Sequence, residues 1–223
     1  MFKYETHLHT SPVSACARAS VRETVQFYKD MGYDGIFITN HFLPGHCEDK
    51  SYEGRLEFFF SDYEEAVKVG KEIGIKVFFG AEGSHNGSDF LVYGLDKAWF
   101  LQHPEILQMR KSEELALYIE SGALVIHAHP FREAGYIDHI RLYPRRVHGV
   151  EIINANRTEF ENEMARQYAE NYQLLTFAGS DNHVAHHQKK LAGMQSAEPI
   201  ENEQDFVARV KNGEMEIFTI VRD

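Results

Sequence analysis

The 223-residue chain lacks several features that would assign its class at once. It carries only two cysteines, Cys16 and Cys47, too few for a disulfide framework, so a reduced, cytoplasmic setting is expected. No apolar stretch approaches the ~18 residues of a membrane span. The opening Met1-Phe2-Lys3-Tyr4-Glu5-Thr6 is too polar and too short for a signal peptide. No Pro/Gly/Ser-rich linker, charge block or repeat divides the sequence, and residues 1–223 read as one domain. Gly-x-Gly-x-x-Gly and Gly-Lys-Ser/Thr loops are both missing, which argues against a nucleotide cofactor. Positive charge is also scarce: 23 Lys and Arg face 34 Asp and Glu, for a formal charge of −11. With no basic run to offset it, that balance disfavours extended nucleic acid and anionic membranes and leaves a small molecule as the expected partner.

What is present is ordinary in bulk, with 43% apolar and 26% charged residues, a soluble globular composition. Short β-rich runs alternate with helical stretches. Strands are expected at Phe2 to Leu8, Gly35 to Thr39, Ile75 to Ala81, Phe90 to Tyr93, Ala123 to Ile126, Gly149 to Ile153, Leu174 to Ala178 and Glu216 to Ile220. Helices are expected from Ser20 to about Gly32, Ser61 to Gly74, Ser112 to Glu120, Thr158 to Asn171 and Glu203 to Lys211. Apolar strand runs separated by helices indicate a parallel sheet covered on both faces. Six or seven such units suggest an α/β barrel related to the eightfold one, or an open doubly wound sheet.

The exceptional count is 13 histidines. His7 and His9 close the first expected strand, Asn40-His41 the second and Glu82 the third; His127 and His129 follow the Ala123 strand, and Asp181 and His183 the Leu174 strand. Every cluster thus falls at a strand C-terminus, the edge where parallel α/β folds gather ligands and catalytic groups. Residues i and i+2 on a strand point the same way, so His7/His9, His127/His129 and Asp181/His183 can each aim two donors at one point. His7, His9, His41, Glu82, His129, Asp181 and His183 make seven candidate ligands, with His127 a possible eighth. A catalytic zinc takes three protein ligands and a structural one four, so two or three ions sharing carboxylates fit better than one. Mixed imidazole and carboxylate donors suit Zn²⁺, Mn²⁺ or Fe²⁺. His46, His85, His103, His139, His148, His186 and His187 read as ordinary hydrogen-bonded or solvated residues.

These motifs resemble the polymerase and histidinol phosphatase (PHP) family. Thr6-His7-Leu8-His9-Thr10 resembles its first motif, Ile38-Thr39-Asn40-His41 its second, Glu82 its third-strand glutamate, Ala128-His129-Pro130 its His-Pro motif and Gly179-Ser180-Asp181-Asn182-His183 its closing motif. The resemblance implies a distorted (β/α)7 TIM-like barrel with mostly parallel strands and two or three metal ions, usually in phosphoester hydrolases. It implies that His7, His9, Glu82 and Asp181 surround one ion, that Glu82 bridges to a second held by His129, and that His41 and His183 hold a third. Three departures stand out. Asn40 replaces an Asp that is expected to lie outside the metal shell. Cys16 is the nearest candidate for a histidine that often follows the first motif. The strand histidine expected near Leu91 to Leu95 is missing, a gap that His127 or His85 could fill.

The chemistry expected of this set is attack by a metal-bound hydroxide on a small phosphomonoester, with Glu82, Asp181 and His183 as catalytic residues. Arg132, three residues after His129, is the first candidate to clamp phosphate and Arg18 the second. Two alternatives use the same residues: amidohydrolase-like C–N or C–O hydrolysis, and a degenerate, non-catalytic metal-binding module. Specificity is expected in the loops His41 to Arg55 and His129 to Tyr143, with Tyr52, Tyr136 and Tyr143 near the barrel mouth.

Overall fold

A computed structural model describes residues 1–43, 47–85 and 87–222; His46 lies outside the described residues. The first half runs β1 (Phe2–Glu5), α1 (Val21–Asp30), β2 (Gly35–Ile38), α2 (Tyr52–Ile73), β3 (Lys76–His85), β4 (Ser88–Tyr93), α3 (Lys97–Gln102) and α4 (Lys111–Glu120). The second half runs β5 (Leu124–Ala128), β6 (Gly149–Asn154), α5 (Glu159–Tyr172), β7 (Leu175–Gly179), β8 (Lys190–Ser196), α6 (Glu203–Lys211) and β9 (Glu216–Val221).

Local chemistry accounts for most boundaries. Ser20 with Glu23, and Thr158 with Glu161, form reciprocal capping boxes that start α1 and α5 where the sequence spacing puts them. α2 departs from expectation by starting at Tyr52, because Ser51 caps it by accepting from the Gly54 N–H. The Ser61/Glu64 spacing therefore lies mid-helix, where the Ser61 hydroxyl donates back to the Phe58 carbonyl at 2.7 Å. Gly74, at φ 78°, ends the helix in the left-handed conformation. Two elements were not legible in advance: α3, and β8, whose small and polar residues lack an apolar run.

The sheet order is β7-β6-β5-β4-β3-β2-β1-β8-β9. An isolated parallel bridge between Leu8 and Asn182 brings the end of β1 beside the end of β7, giving a mixed α/β fold with a nearly closed, barrel-like sheet. The expectation of mostly parallel strands needs correcting. Parallel pairing is confined to β1-β2-β3 and β5-β6-β7. β4 lies antiparallel between the two triplets, and β8 and β9 extend the sheet antiparallel beyond β1. β3 and β4 are joined as a hairpin, and no helix of the described chain separates β5 from β6, so the β/α alternation is irregular.

Strand alternation separates two environments. Tyr4, Phe37, Phe78, Tyr93, Ile126 and Phe177 form the inner core, into which α6 inserts Phe206, 4.3 Å from the Phe37 ring. Ile36, Ile38 and Leu8 face the opposite way, against α1 and α2. Among the described residues no helix is long and apolar enough to cross a membrane.

Gly179, at the end of β7, marks the tightest approach that matters to the inner face. A Cβ there would collide with the Cβ of His7 and come within 2.8 Å of the Glu151 carboxylate. Gly179→Ala is expected to lower unfolding free energy by about 1–3 kcal/mol, as overpacking does. Urea denaturation measures this, and a variant as stable as the parent would contradict the close packing of β7 on β1.

Candidate metal centre

The inner face of the barrel turns polar toward the C-terminal ends of the parallel strands. On β3 the alternation that buries Phe78 also turns Glu82 inward, and on β4 the face carrying Leu91 and Tyr93 carries Asp89. His7 and His9 flank Leu8; Leu8 enters the apolar layer with α1, and both histidines turn to Glu82. His7 Nε2 lies 3.3 Å from Glu82 Oε1 and 3.5 Å from Asp181 Oδ1. His9 Nε2 lies 3.4 Å from Glu82 Oε2 and 3.5 Å from Asp181 Oδ1. His41 Nδ1 reaches Glu82 Oε2 at 2.9 Å and His129 Nε2 reaches Glu82 Oε1 at 3.2 Å. Glu82 is thus the hub.

Four overlapping donor groups result: His7, His9 and Glu82; His7, His129 and Asp181; Glu82, Asp89 and His129; and His9, Cys16, His41 and His183. Within each group the donor atoms lie within 4.8 Å of one another, a spacing suited to divalent ions. Glu82 Oε2, Asp89 Oδ2 and His41 Nδ1 are buried without a well-directed hydrogen bond. Such atoms are costly unless something else satisfies them, and a cation does so. The residues present therefore fit a metal centre.

A second ring of polar groups holds this one in place. His7 Nδ1 sits 2.8 Å from Glu151 Oε1, and Glu151 Oε2 accepts from the His129 N–H at 3.1 Å and from Asn154 Nδ2 at 2.9 Å. A carboxylate behind a ligating imidazole fixes its orientation and raises its basicity. Asn40 Oδ1 accepts from the Thr10 N–H at 2.7 Å and the Ser14 hydroxyl at 2.9 Å, and its amide reaches Asp62 at 3.3 Å. It supports the first-motif loop and joins none of the donor groups. His129 and Asp181 have φ of 26° and 52°. Residues in sparsely populated conformations cost about 1–3 kcal/mol each and persist where their surroundings over-determine them.

The electrostatics follow from crowding. Burial disfavours charge on His7, but the facing Glu151, Asp181 and Glu82 carboxylates outweigh it and raise its pKa well above the ordinary value. Burial together with the neighbouring His183 and His41 pushes His9 down to about 3, leaving a neutral imidazole. Glu82 is held well below the usual carboxylate range, because His41 and His7 overcome its burial. Asp181 is also held below that range, with His7 the leading opponent of burial. Burial would raise the Cys16 thiol, yet hydrogen bonding to His183 and His41 brings it down to about 6.

Comparisons with known proteins agree with this fold. Residues 159–215 match the PHP-associated family. No curated protein matches the chain. Among solved structures, a two-domain protein from Bacteroides vulgatus, named for a PHP-like metal-dependent phosphoesterase, superposes with a TM-score of 0.70 at 15% identity over 97% of this chain. The fold is similar to that of PHP-like proteins. The chain spans 64% of the length of that two-domain protein. A metal-dependent phosphoesterase, so named, from Bifidobacterium adolescentis gives 0.56 at 15% identity, covering 82% of this chain and 88% of its own. An amidohydrolase from Chromobacterium violaceum, with bound sulfate and no metal, gives 0.59 at 12% identity, covering 96% and 97%.

In this barrel-like fold all seven expected donors, and Cys16 with them, enter the cluster. His127 does not. It faces outward from β5, stacked on Phe90 at 4.8 Å, and burial with the nearby His129 lowers its pKa to about 3. The i, i+2 expectation fails there because His129 lies past the strand end at positive φ, which reverses its direction. His85 belongs to none of the donor groups among the described residues. Arg132 Nη2 pairs with Asp89 Oδ2 at 3.1 Å and stands beside the donors. Arg18 is joined to the site through its backbone, whose N–H donates to the His183 carbonyl at 2.8 Å, while its residue surface is exposed.

Asp89, Glu151 and Glu5 were not anticipated. Glu5 lies beneath the site, where its Oε1 accepts from the Thr6, His7 and Ser180 N–H groups at 3.0, 2.9 and 2.9 Å. Burial raises its carboxyl from the ordinary 4.5 to about 7 despite those bonds. The unfolded chain therefore loses this proton first as pH rises, and this residue's contribution to stability falls between pH 4.5 and about 7, then levels off. Glu5→Gln is expected to flatten that part of the profile in the metal-free protein, as read by urea unfolding at several pH values. Parallel profiles for the parent and Glu5→Gln would contradict it.

Proposed function

We propose that the chain is a metal-dependent phosphoesterase that hydrolyses a small phosphomonoester at a centre of two or three divalent ions, Zn²⁺, Mn²⁺ or Fe²⁺. The observation that carries this reading is the overlap of four donor groups, in which four imidazoles reach the buried carboxylate of Glu82 within 3.4 Å. The supporting frame is one domain built on a distorted (β/α)7-type barrel, acting in a reducing cytoplasm.

His7, His9, Glu82 and Asp181 would hold one ion, Glu82, Asp89 and His129 a second, and His41 and His183 the outermost. When bound, paired divalent ions lower the pKa of water to ~7 and offset charge on both the entering and leaving oxygens. The chain's own residues do the rest. Glu82 joins the subsites and fixes their separation. Glu151 orients the His7 ring and the His129 backbone. His183, at the outer side and partly open, donates its Nδ1–H to the Asp181 carbonyl at 2.9 Å, which leaves its Nε2 lone pair for the outermost ion.

Arg132 offers the phosphate a planar, permanently charged donor pair, and its Asp89 contact sets its guanidinium at the edge of the donors. Arg18, exposed beside His183, is the weaker second contact. Tyr136, whose ring lies 5.7 Å from the Arg132 guanidinium carbon, extends that wall of the mouth. The C–N hydrolase alternative has less support, since the sequence places no lysine at the strand-end cluster positions to supply a carboxylated bridge.

Chelated protein should lose hydrolysis of p-nitrophenyl phosphate, and Mn²⁺ or Zn²⁺ should restore it. Glu82→Ala and Asp181→Ala should lose metal and activity together. Arg132→Ala should lower kcat/KM about 10- to 100-fold, the ~1.5–3 kcal/mol of a charged hydrogen bond. Metal-replete protein inactive across a phosphate-release screen of sugar phosphates, nucleotides and phosphopeptides, but active on amides or lactones, would overturn the assignment.

A further inference from the structure

Cys16, His41, His183 and His9 each bring one donor atom to the outer side of the cluster. A ring nitrogen has a single lone pair, so His9 cannot serve two ions through one atom. Its Nε2 lies 3.4 Å from Glu82 and 3.5 Å from Asp181, facing the inner groups, and its Nδ1 lies 3.2 Å from the Ser14 hydroxyl. Cys16, His41 and His183 remain for the outermost position.

The backbone holds Cys16 there from both sides. The Ala17 N–H donates to the Ser14 carbonyl at 2.9 Å, and the Arg18 N–H donates to the carbonyl of His183 at 2.8 Å. One hydrogen bond thus ties the Cys16 segment to the residue that shares its site. A second observation also points to a cation: Glu82 Oε2, 1% exposed and only 2.9 Å from His41 Nδ1, has no well-directed hydrogen bond. Cys47, the other cysteine, is buried and belongs to none of the donor groups.

We infer that Cys16 is a thiolate ligand of the outermost ion, with His41 and His183, and makes that position selective for a soft divalent cation of the Zn²⁺ type. The inference rests on the metal-centre reading and deepens it. The inner groups are rich in carboxylate and suit harder ions such as Mn²⁺, whereas thiolate with imidazole favours zinc. Ligation exchanges the S–H bond for a sulfur–metal bond and releases the proton to solvent, with no electron transferred. Three protein donors leave one position open at this ion, the arrangement of catalytic rather than structural zinc.

Cobalt substitution tests this without any assay of activity. Metal-free protein titrated with Co²⁺ should develop a near-ultraviolet sulfur-to-cobalt charge-transfer band, which Zn²⁺ erases and excess Mn²⁺ leaves in place. Cys47→Ser should keep the band. Cys16→Ser and Cys16→His should lose it, while Cys16→His still binds the parental number of ions. Cobalt bound by the parent without the band overturns the thiolate ligand and leaves the metal centre standing. A parent that binds no cobalt overturns both readings, and a band that persists in Cys16→Ser overturns the assignment of Cys16.

Discussion

The structure is organised around one buried carboxylate. Glu82 stands on β3, 1% exposed, with four imidazoles from three other segments within 3.4 Å. An isolated carboxylate at that depth would simply take up a proton. Here the ring of histidines keeps it charged; it in turn keeps His41 charged against the pull of burial, and it joins Glu151 and Asp181 in doing the same for His7. Without cations this is a mutual compensation among groups that would otherwise be costly to bury. The proposed cations would take the same lone pairs as ligands. Other parts of the site are arranged to hold these groups: Glu151 behind His7, Asn40 and Asp62 behind the first-motif loop, and the close packing of Gly179 on His7.

Much of this could be read from residue order. Alternation with period two held for His7 and His9, because Leu8 between them has an apolar layer to enter. The capping boxes at Ser20 and Thr158 started α1 and α5 as their spacing dictates. His41, Glu82, Asp181 and His183 were found by looking at the C-terminal ends of apolar runs, the edge that parallel strands share.

One miss comes from strand direction. β4 is antiparallel, so its first residues rather than its last reach the site edge. A ligand sought near Leu91 to Leu95 was therefore sought at the wrong end, and Asp89, next to the strand's first residue, is the donor. His127 misled for a different reason: alternation on β5 turns it outward onto Phe90, and only the positive φ at position 129 turns His129 inward. Nothing in a one-dimensional pattern signals that reversal. Glu151, an acid within the apolar run Gly149-Val150-Glu151-Ile152-Ile153, was the one available signal for the supporting shell. Cys16 could be placed in the cluster only once the fold had brought its turn against His183.

The most direct test of the account is where electron-dense ions sit. Crystals grown with zinc and manganese, measured on both sides of each absorption edge, should show at least two anomalous peaks. One should lie between Glu82, His7 and Asp181, and another between Glu82, Asp89 and His129. A well-ordered cluster with these side chains in place and no anomalous peak among them would contradict the claim that they assemble to bind metal.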